Sequence, residues 1–446
     1  MKLSLQNETV VYYGPTNEAS AWGFVQFPKF YDAKNGSLGL YIHDQDDAPH
    51  VLGEGVWLIT DDYHSWRSCT EAEMQTLGTQ LPSGDILRIK NIPTKTLENV
   101  QSSGPWFGNY RIPSEPIFPT KSTDPDRLPH PLANISDIFG SNDFVYLLDT
   151  LPDGMAEKDF CFLRLKNGES IAKKEFSPVQ WNYRTIRVFQ NSAVYIGMKD
   201  CRLENPALYE GAAKIKVAPD GSLFIAHYKP FPCNPYTGGY EKFSAIFLFR
   251  STDDGRSWKL HAYIPYQPDL EKDEFAYLHG GFYEPDLEFM PDGSMLCIMR
   301  TCDVFQGAPE WGATYLSRSI DGGKTWSTPE YFQSKGALPL LLRLECGVTL
   351  AVITRPGIFV YASHDNGKTW TDCIEVMTDQ DRSHLANQPP IRPNFHQWAG
   401  SCCNTDIKAL DRNRALLVYS DFYTPDPNHG GIKKKAIKTV EIIVEC

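Results

Sequence analysis

The sequence predicts an all-β fold, a β-propeller of four-stranded antiparallel blades. One eight-residue turn motif occurs three times, an apolar strand–turn–strand hairpin stands ahead of each copy, and aromatic residues make up 13% of the chain. The copies are Ser251-Thr252-Asp253-Asp254-Gly255-Arg256-Ser257-Trp258, Ser319-Ile320-Asp321-Gly322-Gly323-Lys324-Thr325-Trp326 and Ser363-His364-Asp365-Asn366-Gly367-Lys368-Thr369-Trp370. Their common pattern is S-x-D-x-G-x-[ST]-W. The Asp can accept backbone N–H groups across a turn, the Gly can take a positive φ, and the Trp can bury a large ring between sheets. Asp61, Ser65 and Trp66 keep the spacing of a fourth, degenerate copy in which Ile59 and Tyr63 replace the Ser and Gly. These aspartates are read as structural.

The hairpins lie at 213–228 around Pro219-Asp220-Gly221-Ser222, at 283–300 around Pro291-Asp292-Gly293-Ser294, and at 340–355 around Glu345-Cys346-Gly347. Further ones lie at 24–43 around Lys34-Asn35-Gly36, at 75–90 around Pro82-Ser83-Gly84, and at 406–421 around Asp411-Arg412-Asn413. Such turns between apolar runs are the strongest short-range hairpin signal. With residues 136–179 read as one more blade, the expectation is about seven blades, six being the alternative. Segments 3–13 and 436–444 both read as strands, expected to share a blade and close the ring. No linker or low-complexity tract divides the 446 residues, so one propeller domain spans 1–446. A ring of repeats accommodates that length because each blade packs only on its neighbours.

The formal net charge of −12 argues against a nucleic-acid backbone as partner. No window approaches the roughly 18 apolar residues of a membrane span, and residues 1–8 hold no signal-like apolar core. The eleven Cys are scattered, without CxxC or His/Cys clustering, so no metal and no cofactor are expected. An odd count without a visible secretory signal leads to the expectation of reduced thiols and a cytoplasmic location.

Propeller sites lie at the axis, at the ends of inner strands. The second strand of successive hairpins ends on His43, His227, Arg300, Arg355 and Tyr419 with Asp421. The first begins near Gln26, Glu284 and His396 with Trp398. Stations so rich in Arg, His and Glu are expected to line one pocket, and guanidinium groups suit a carboxylate because their fork binds it bidentately.

The three intact turn copies are Asp-boxes, and with them the chain resembles the sialidase-like superfamily of Asp-box (BNR-repeat) propellers. Residues 284–300, from Glu284-Pro285-Asp286 to Ile298-Met299-Arg300, are similar to the family segment that holds a Glu and one arginine. Thr354-Arg355-Pro356-Gly357 is similar to the segment of another. The resemblance implies three arginines on a substrate carboxylate, a Tyr nucleophile activated by the Glu, and an Asp acid/base. It departs at Val25-Gln26-Phe27-Pro28, where Gln26 replaces the family's first arginine; Tyr110-Arg111-Ile112-Pro113 carries the pattern but at another place. It departs again at Trp398-Ala399-Gly400-Ser401-Cys402, which has no Tyr, leaving Tyr419 one strand later. Asp46, among Asp44, Asp46 and Asp47, is the candidate acid.

The resemblance therefore implies an exo-glycosidase that releases a terminal acidic sugar from an oligosaccharide or glycoconjugate. Arg300 and Arg355 would bind the carboxylate, Glu284 would polarise or replace the nucleophile, and Asp46 would protonate the leaving group. Gln26, His396, Trp398 and Asp421 would complete the binding set. The alternative is a polysaccharide lyase on uronates, in which His43, His227 or Tyr419 abstracts the proton α to the carboxylate. A third class is a non-catalytic glycan- or protein-binding propeller. From the cysteine pattern, all eleven thiols are expected to react with a thiol reagent after denaturation without reductant; a markedly lower titre would mean disulfides.

Overall fold

The computed structural model describes residues 2–14, 24–44, 55–90, 159–181, 213–229, 243–303, 312–355, 357–378 and 404–445 as continuous stretches, with short strands between 96 and 204 and isolated residues near 208 and 234–241. It is all-β, built of antiparallel sheets in a propeller-like arrangement. The six punctuated hairpins all form, and each opens a four-stranded unit.

Unit one contains Phe24–Ala33, Leu38–Asp44, Val56–Thr60 and Arg67–Ser68; unit two contains Leu77–Gln80, Ile86–Ile89, Phe160–Leu165 and Lys173–Ser177. The two join edge to edge through Asp32 opposite Gly78 and Ala33 opposite Leu77. Unit three runs Ile215–Val217, Leu223–Lys229, Ala245–Ser251, Trp258–Ile264, and unit four His279–Phe289, Met295–Asp303, Thr314–Ser319, Glu330–Gln333. Unit five runs Leu340–Arg343, Thr349–Thr354, Ile358–Ser363, Asp372–Met377. Unit six runs Thr405–Ala409, Arg414–Asp426, Ile432–Glu445, and takes the N-terminal Lys2–Tyr13 as its outer strand, in register Leu3 opposite Val444. The two ends of the chain thus share one sheet, as the strand reading of both termini anticipates.

Residues 136–179 do not make a blade of their own. Phe160–Leu165 and Lys173–Ser177 complete unit two, whereas Asn142–Leu147 joins Thr185–Gln190, Cys201–Glu204 and two shorter strands in a separate five-stranded sheet. Strand pairing here skips some 70 residues of chain, which local hairpin signals cannot report.

The apolar cores lie between units. Leu87, Phe162 and Trp258 bind units two and three; Phe282, Met295 and Ile246 bind three and four; Ile298 and Ile353 bind four and five. Leu350 and Ile442 bind five and six, and Leu40, Val418 and Ile437 bind six to one. Ala33, Ile59 and Leu77 do the same between one and two. Each face of a sheet is buried by its neighbour, which explains its continuous apolar runs.

The motif turns lie at the outer ends. Ser251 Oγ donates to Asp253 Oδ1 at 2.7 Å and accepts from Gly255 N–H at 2.9 Å, while Ser257 N–H donates to Asp253 at 2.9 Å. The same bonds recur at Ser319/Asp321 and Ser363/Asp365. In each copy the carbonyl just after the Asp accepts a bond from the preceding unit: Arg164 Nη2 to Asp254 O at 2.8 Å, His261 Nε2 with Gly322 O at 2.8 Å, and Arg318 Nη2 to Asn366 O at 2.6 Å. These residues have φ of 64°, 75° and 62°, the left-handed region that favours Asp, Gly and Asn.

The degenerate copy differs from its sequence reading. Thr60, not Ile59, supplies the hydroxyl, and Asp62, not Asp61, accepts Ser65 N–H at 2.7 Å. The turn is one residue shorter, and Asp61 instead accepts the Ser37 hydroxyl.

The motif tryptophans are not equally buried: Trp258 is 1% exposed, stacked 5.8 Å from Phe162, whereas Trp326 and Trp370 are half-buried. Trp258→Ala should therefore lower unfolding free energy by about 3–5 kcal/mol. Trp326→Ala should lower it by less. Denaturant midpoints in the reverse order would contradict the packing just described.

Candidate active site

Three inner strands open on the same irregularity. Phe27, Glu284 and Leu338 each precede a proline and have φ of 50°, 50° and 44°. A non-glycine residue in the left-handed region is strained, and the residue before proline ordinarily stays extended. Two of these positions are bulges: the ladders shift register between Gln26 and Lys29 and between Tyr283 and Asp286. A bulge re-aims a side chain out of the pleat. Together Phe27–Lys29, Glu284–Asp286 and Leu338–Leu340 line one cavity, with Lys214 and Thr405.

Glu284 projects from this bulge. Arg300, on the paired strand opposite Tyr283, donates from Nε to Oε2 at 2.6 Å and from Nη2 to Oε1 at 2.9 Å. Leu338 N–H of the next unit donates to Oε2 at 2.7 Å. Burial alone would push the carboxyl up, but Arg300, the Leu338 N–H and the nearby Arg355 charge hold it below its ordinary value. Arg355, 3% exposed with φ of 54°, follows the second strand of unit five. The structure therefore gathers Glu284, Arg300 and Arg355 at one place, two guanidinium groups about one ionised carboxylate.

Beneath them runs a ladder of acids. Asp286 accepts Leu341 N–H at 2.9 Å and Glu288 accepts Arg343 N–H at 3.2 Å. Lys216 of unit three reaches Asp286 at 3.1 Å, and Lys214 reaches Asp406 of unit six at 2.5 Å. Asp406 in turn accepts Phe30 N–H at 2.8 Å. Burial opposes its charge, but Lys214 and Lys29 hold Asp406 below the usual carboxylate range. Lys216 thus ties unit three to unit four, and Lys214 ties unit three to unit six.

The other expected residues are placed as follows. Gln26 is fully buried opposite His43, with Lys435 Nζ 3.4 Å from its Oε1. His43 sets its ring edge-on at 5.8 Å to Phe27, a cavity-lining residue. His227 is fully buried and 5.4 Å from the Tyr228 ring, which lies 5.1 Å from Tyr283. Tyr419 packs in the core between units five and six and donates its hydroxyl to Glu8 at 2.8 Å. Asp421 pairs with Lys438 at 2.8 Å. Tyr419 thus bonds to the N-terminal strand of unit six, and Asp421 is paired within the same unit. Asp46, His396 and Trp398 lie outside the described residues, as does the side chain of Arg111. Among the described residues no His, Cys, Asp or Glu cluster is arranged to hold a metal ion.

Sequence reasoning missed Phe27, Leu338, Lys214 and Lys216. The recurring X-Pro at the start of inner strands, Phe27-Pro28, Glu284-Pro285 and Leu338-Pro339, was the available signal for the first two. Nothing local marks the lysines, whose partners stand 192 and 70 residues away.

No family model matches the chain, and no curated protein does. Solved structures that resemble it include a protein of unknown function from Dyadobacter fermentans, 15% identical over 99% of both chains with a TM-score of 0.48. Another is an α-L-arabinanase of Penicillium chrysogenum complexed with arabinobiose, 9% identical over 98% of both chains with a TM-score of 0.46. A third is the NanB sialidase of Streptococcus pneumoniae, 11% identical over 98% of this chain and 71% of that one, with a TM-score of 0.44. The last two are glycoside hydrolases.

The Glu284 carboxylate makes a stability prediction. A group whose native pKa is depressed adds stability above its unfolded value, about 4.3 for Glu, and loses it as pH falls through the native value. The stability gap between wild type and Glu284→Gln should be full at pH 6–7 and narrow below about pH 4. Urea unfolding across that range measures it; a gap unchanged at pH 3 would contradict an ionised, paired Glu284.

Proposed function

We propose that the chain is a carbohydrate-active hydrolase of sialidase-like type that releases a terminal acidic sugar, and that its six units close into a single propeller around the site. The observation that carries this reading is the convergence of Arg300 and Arg355 on Glu284. Guanidinium groups held beside the cavity-lining Glu284 suit a sugar carboxylate, and their fixed placement costs no reorganisation when the substrate arrives. The shared core of units six and one supports the ring.

In this reading Arg355 and Arg300 bind the carboxylate. Glu284, held ionised, is no proton donor; it orients Arg300 and stabilises positive charge developing on the sugar. Asp46 is the proposed acid that protonates the departing oxygen; water then adds to the anomeric carbon and gives up its proton to the Asp46 carboxylate, which restores the acid. Its substrate is an acidic oligosaccharide or glycoconjugate.

An elimination reading has one observation in its favour: His43 stands against the cavity-lining Phe27, from where an imidazole could take the proton α to a uronate carboxylate. Incubation with acidic glycosides and with uronate polymers separates the two, because only elimination makes a product with a new ultraviolet-absorbing double bond.

Arg355→Ala should cost about 1.5–3 kcal/mol of binding to the acidic group, or roughly ten- to a hundredfold in kcat/KM. Arg355→Lys should restore little, since an ammonium lacks the planar fork. Neither change should affect a substrate whose carboxylate is reduced to an alcohol. Near-normal turnover of Arg355→Ala on every acidic glycan accepted by wild type would remove the carboxylate clamp. Arg300→Ala is the poorer test, because it leaves a buried carboxylate unpaired and endangers the fold.

A further inference from the structure

We propose that Tyr423, with Phe27, forms an aromatic wall on which the ring of the bound sugar lies, so that Tyr423 is a specificity-determining residue of the site. The inference rests on the reading that this cavity takes a saccharide.

The wall is built by an overlong hairpin. Arg414–Asp426 has 13 residues and its partner Ile432–Glu445 has 14, whereas the neighbouring inner strand Thr405–Ala409 has five. The excess bends: the ladder shifts register between Asp421 and Thr424. A bulge there turns the strand and re-aims the residues within it. Those residues are Phe422, 4% exposed, and Tyr423, half-buried; both pack in one cluster with Phe27 and Ala337.

Both partners in that cluster are tied to the charged site. Phe27 lines the cavity that Glu284 lines. Ala337 precedes Leu338, whose N–H is bound to Glu284 at 2.7 Å. The bend is held from behind: Asp421 Oδ1 accepts Tyr423 N–H at 2.9 Å, and the Lys435 ammonium sits 4.4 Å above the Phe422 ring. Tyr423 is therefore a pre-set ring beside Phe27, which lines the cavity. A pyranose or furanose ring has C–H bonds on one face and hydroxyls at its rim. A flat amphipathic ring receives the first and a charged cluster receives a carboxylate on the second. Phe27, on the cavity that Glu284 lines, and Tyr423 beside it favour a cyclic acidic sugar over an open-chain dicarboxylate.

The test is calorimetric binding of glucuronic acid, a sialic acid and neutral arabinobiose to the full chain, together with steady-state kinetics. Tyr423→Leu keeps the bulk and loses the flat ring; Tyr423→Phe keeps the ring and loses the hydroxyl. The expected result is acidic-sugar binding about tenfold weaker in Tyr423→Leu, seen in KM with kcat nearly unchanged, and almost unaltered in Tyr423→Phe. Phe27→Leu should lose binding similarly and serves if Tyr423→Leu proves unfolded by thermal melting. Unchanged binding in both Leu variants overturns the wall and leaves the hydrolase reading intact. A loss in Tyr423→Phe as large as in Tyr423→Leu overturns it too, because the hydroxyl rather than the ring would then matter. Binding of arabinobiose alone, weakened in Tyr423→Leu, sustains the wall and overturns the acidic substrate. If wild type binds none of the sugars, both fall.

Discussion

Outside the short pairing of units one and two, the innermost strands of this structure are edges, and an edge strand with unpaired N–H groups in a crowded interior is costly. The chain meets that constraint with carboxylates. Glu284, Asp286 and Glu288, spaced by two along one strand, accept the N–H groups of Leu338, Leu341 and Arg343 on the next unit. Asp406 does the same for Phe30, and Asp32 for Gln80 at 3.3 Å. Buried acids need compensating cations, which accounts for Lys216 beside Asp286, Lys214 beside Asp406 and Lys408 beside Asp32. Neighbouring edges, crossing lysines and the narrow cavity above them are one solution to one problem.

The candidate site is the uppermost rung of this ladder. Asp286 and Glu288 face the lysines, but the bulge at Glu284 turns its carboxylate toward Arg300 while still taking the Leu338 N–H. Its strained φ is thus compensated by three charge-assisted or backbone bonds to one carboxylate. The same strain at Phe27 and Leu338, where no carboxylate is formed, turns apolar residues onto the same cavity. One backbone device, repeated on three strands, yields a charged side and an apolar side of one pocket.

What was legible in the sequence follows from how local each signal is. Turn chemistry acts within a few residues, so the six hairpins and three motif turns were readable, as was the Glu284–Arg300 pair across one hairpin. Residues 136–179 misled because Phe160–Leu165 returns to Ile86–Ile89 over a long excursion. Asp61 was chosen over Asp62 because spacing was counted back from Trp66, whereas the shortened turn is set by the Thr60 hydroxyl. Tyr423 has no local mark of its own: alternation along an unbroken strand puts 419, 421 and 423 on one face, and the bulge after Asp421, which leaves Tyr423 packed with Phe27, is not signalled by the residues around it.

The placement of the motif turns also separates stability from chemistry. Their serines and aspartates are consumed by bonds inside the turn, and their outer carbonyls by Arg164, His261 and Arg318 of the preceding unit. These contacts fasten unit to unit at the outer end of the sheets, as the acid ladder fastens them at the inner end. A sheet clamped at both ends holds its inner-strand bulges in place, so strained residues such as Glu284 and Phe27 keep their orientation without a ligand. The loops beyond those strand ends can then vary without loosening the charged cluster. Under the proposed reading, the choice of sugar then depends on what meets Arg355 and Tyr423 rather than on the repeat that builds the frame.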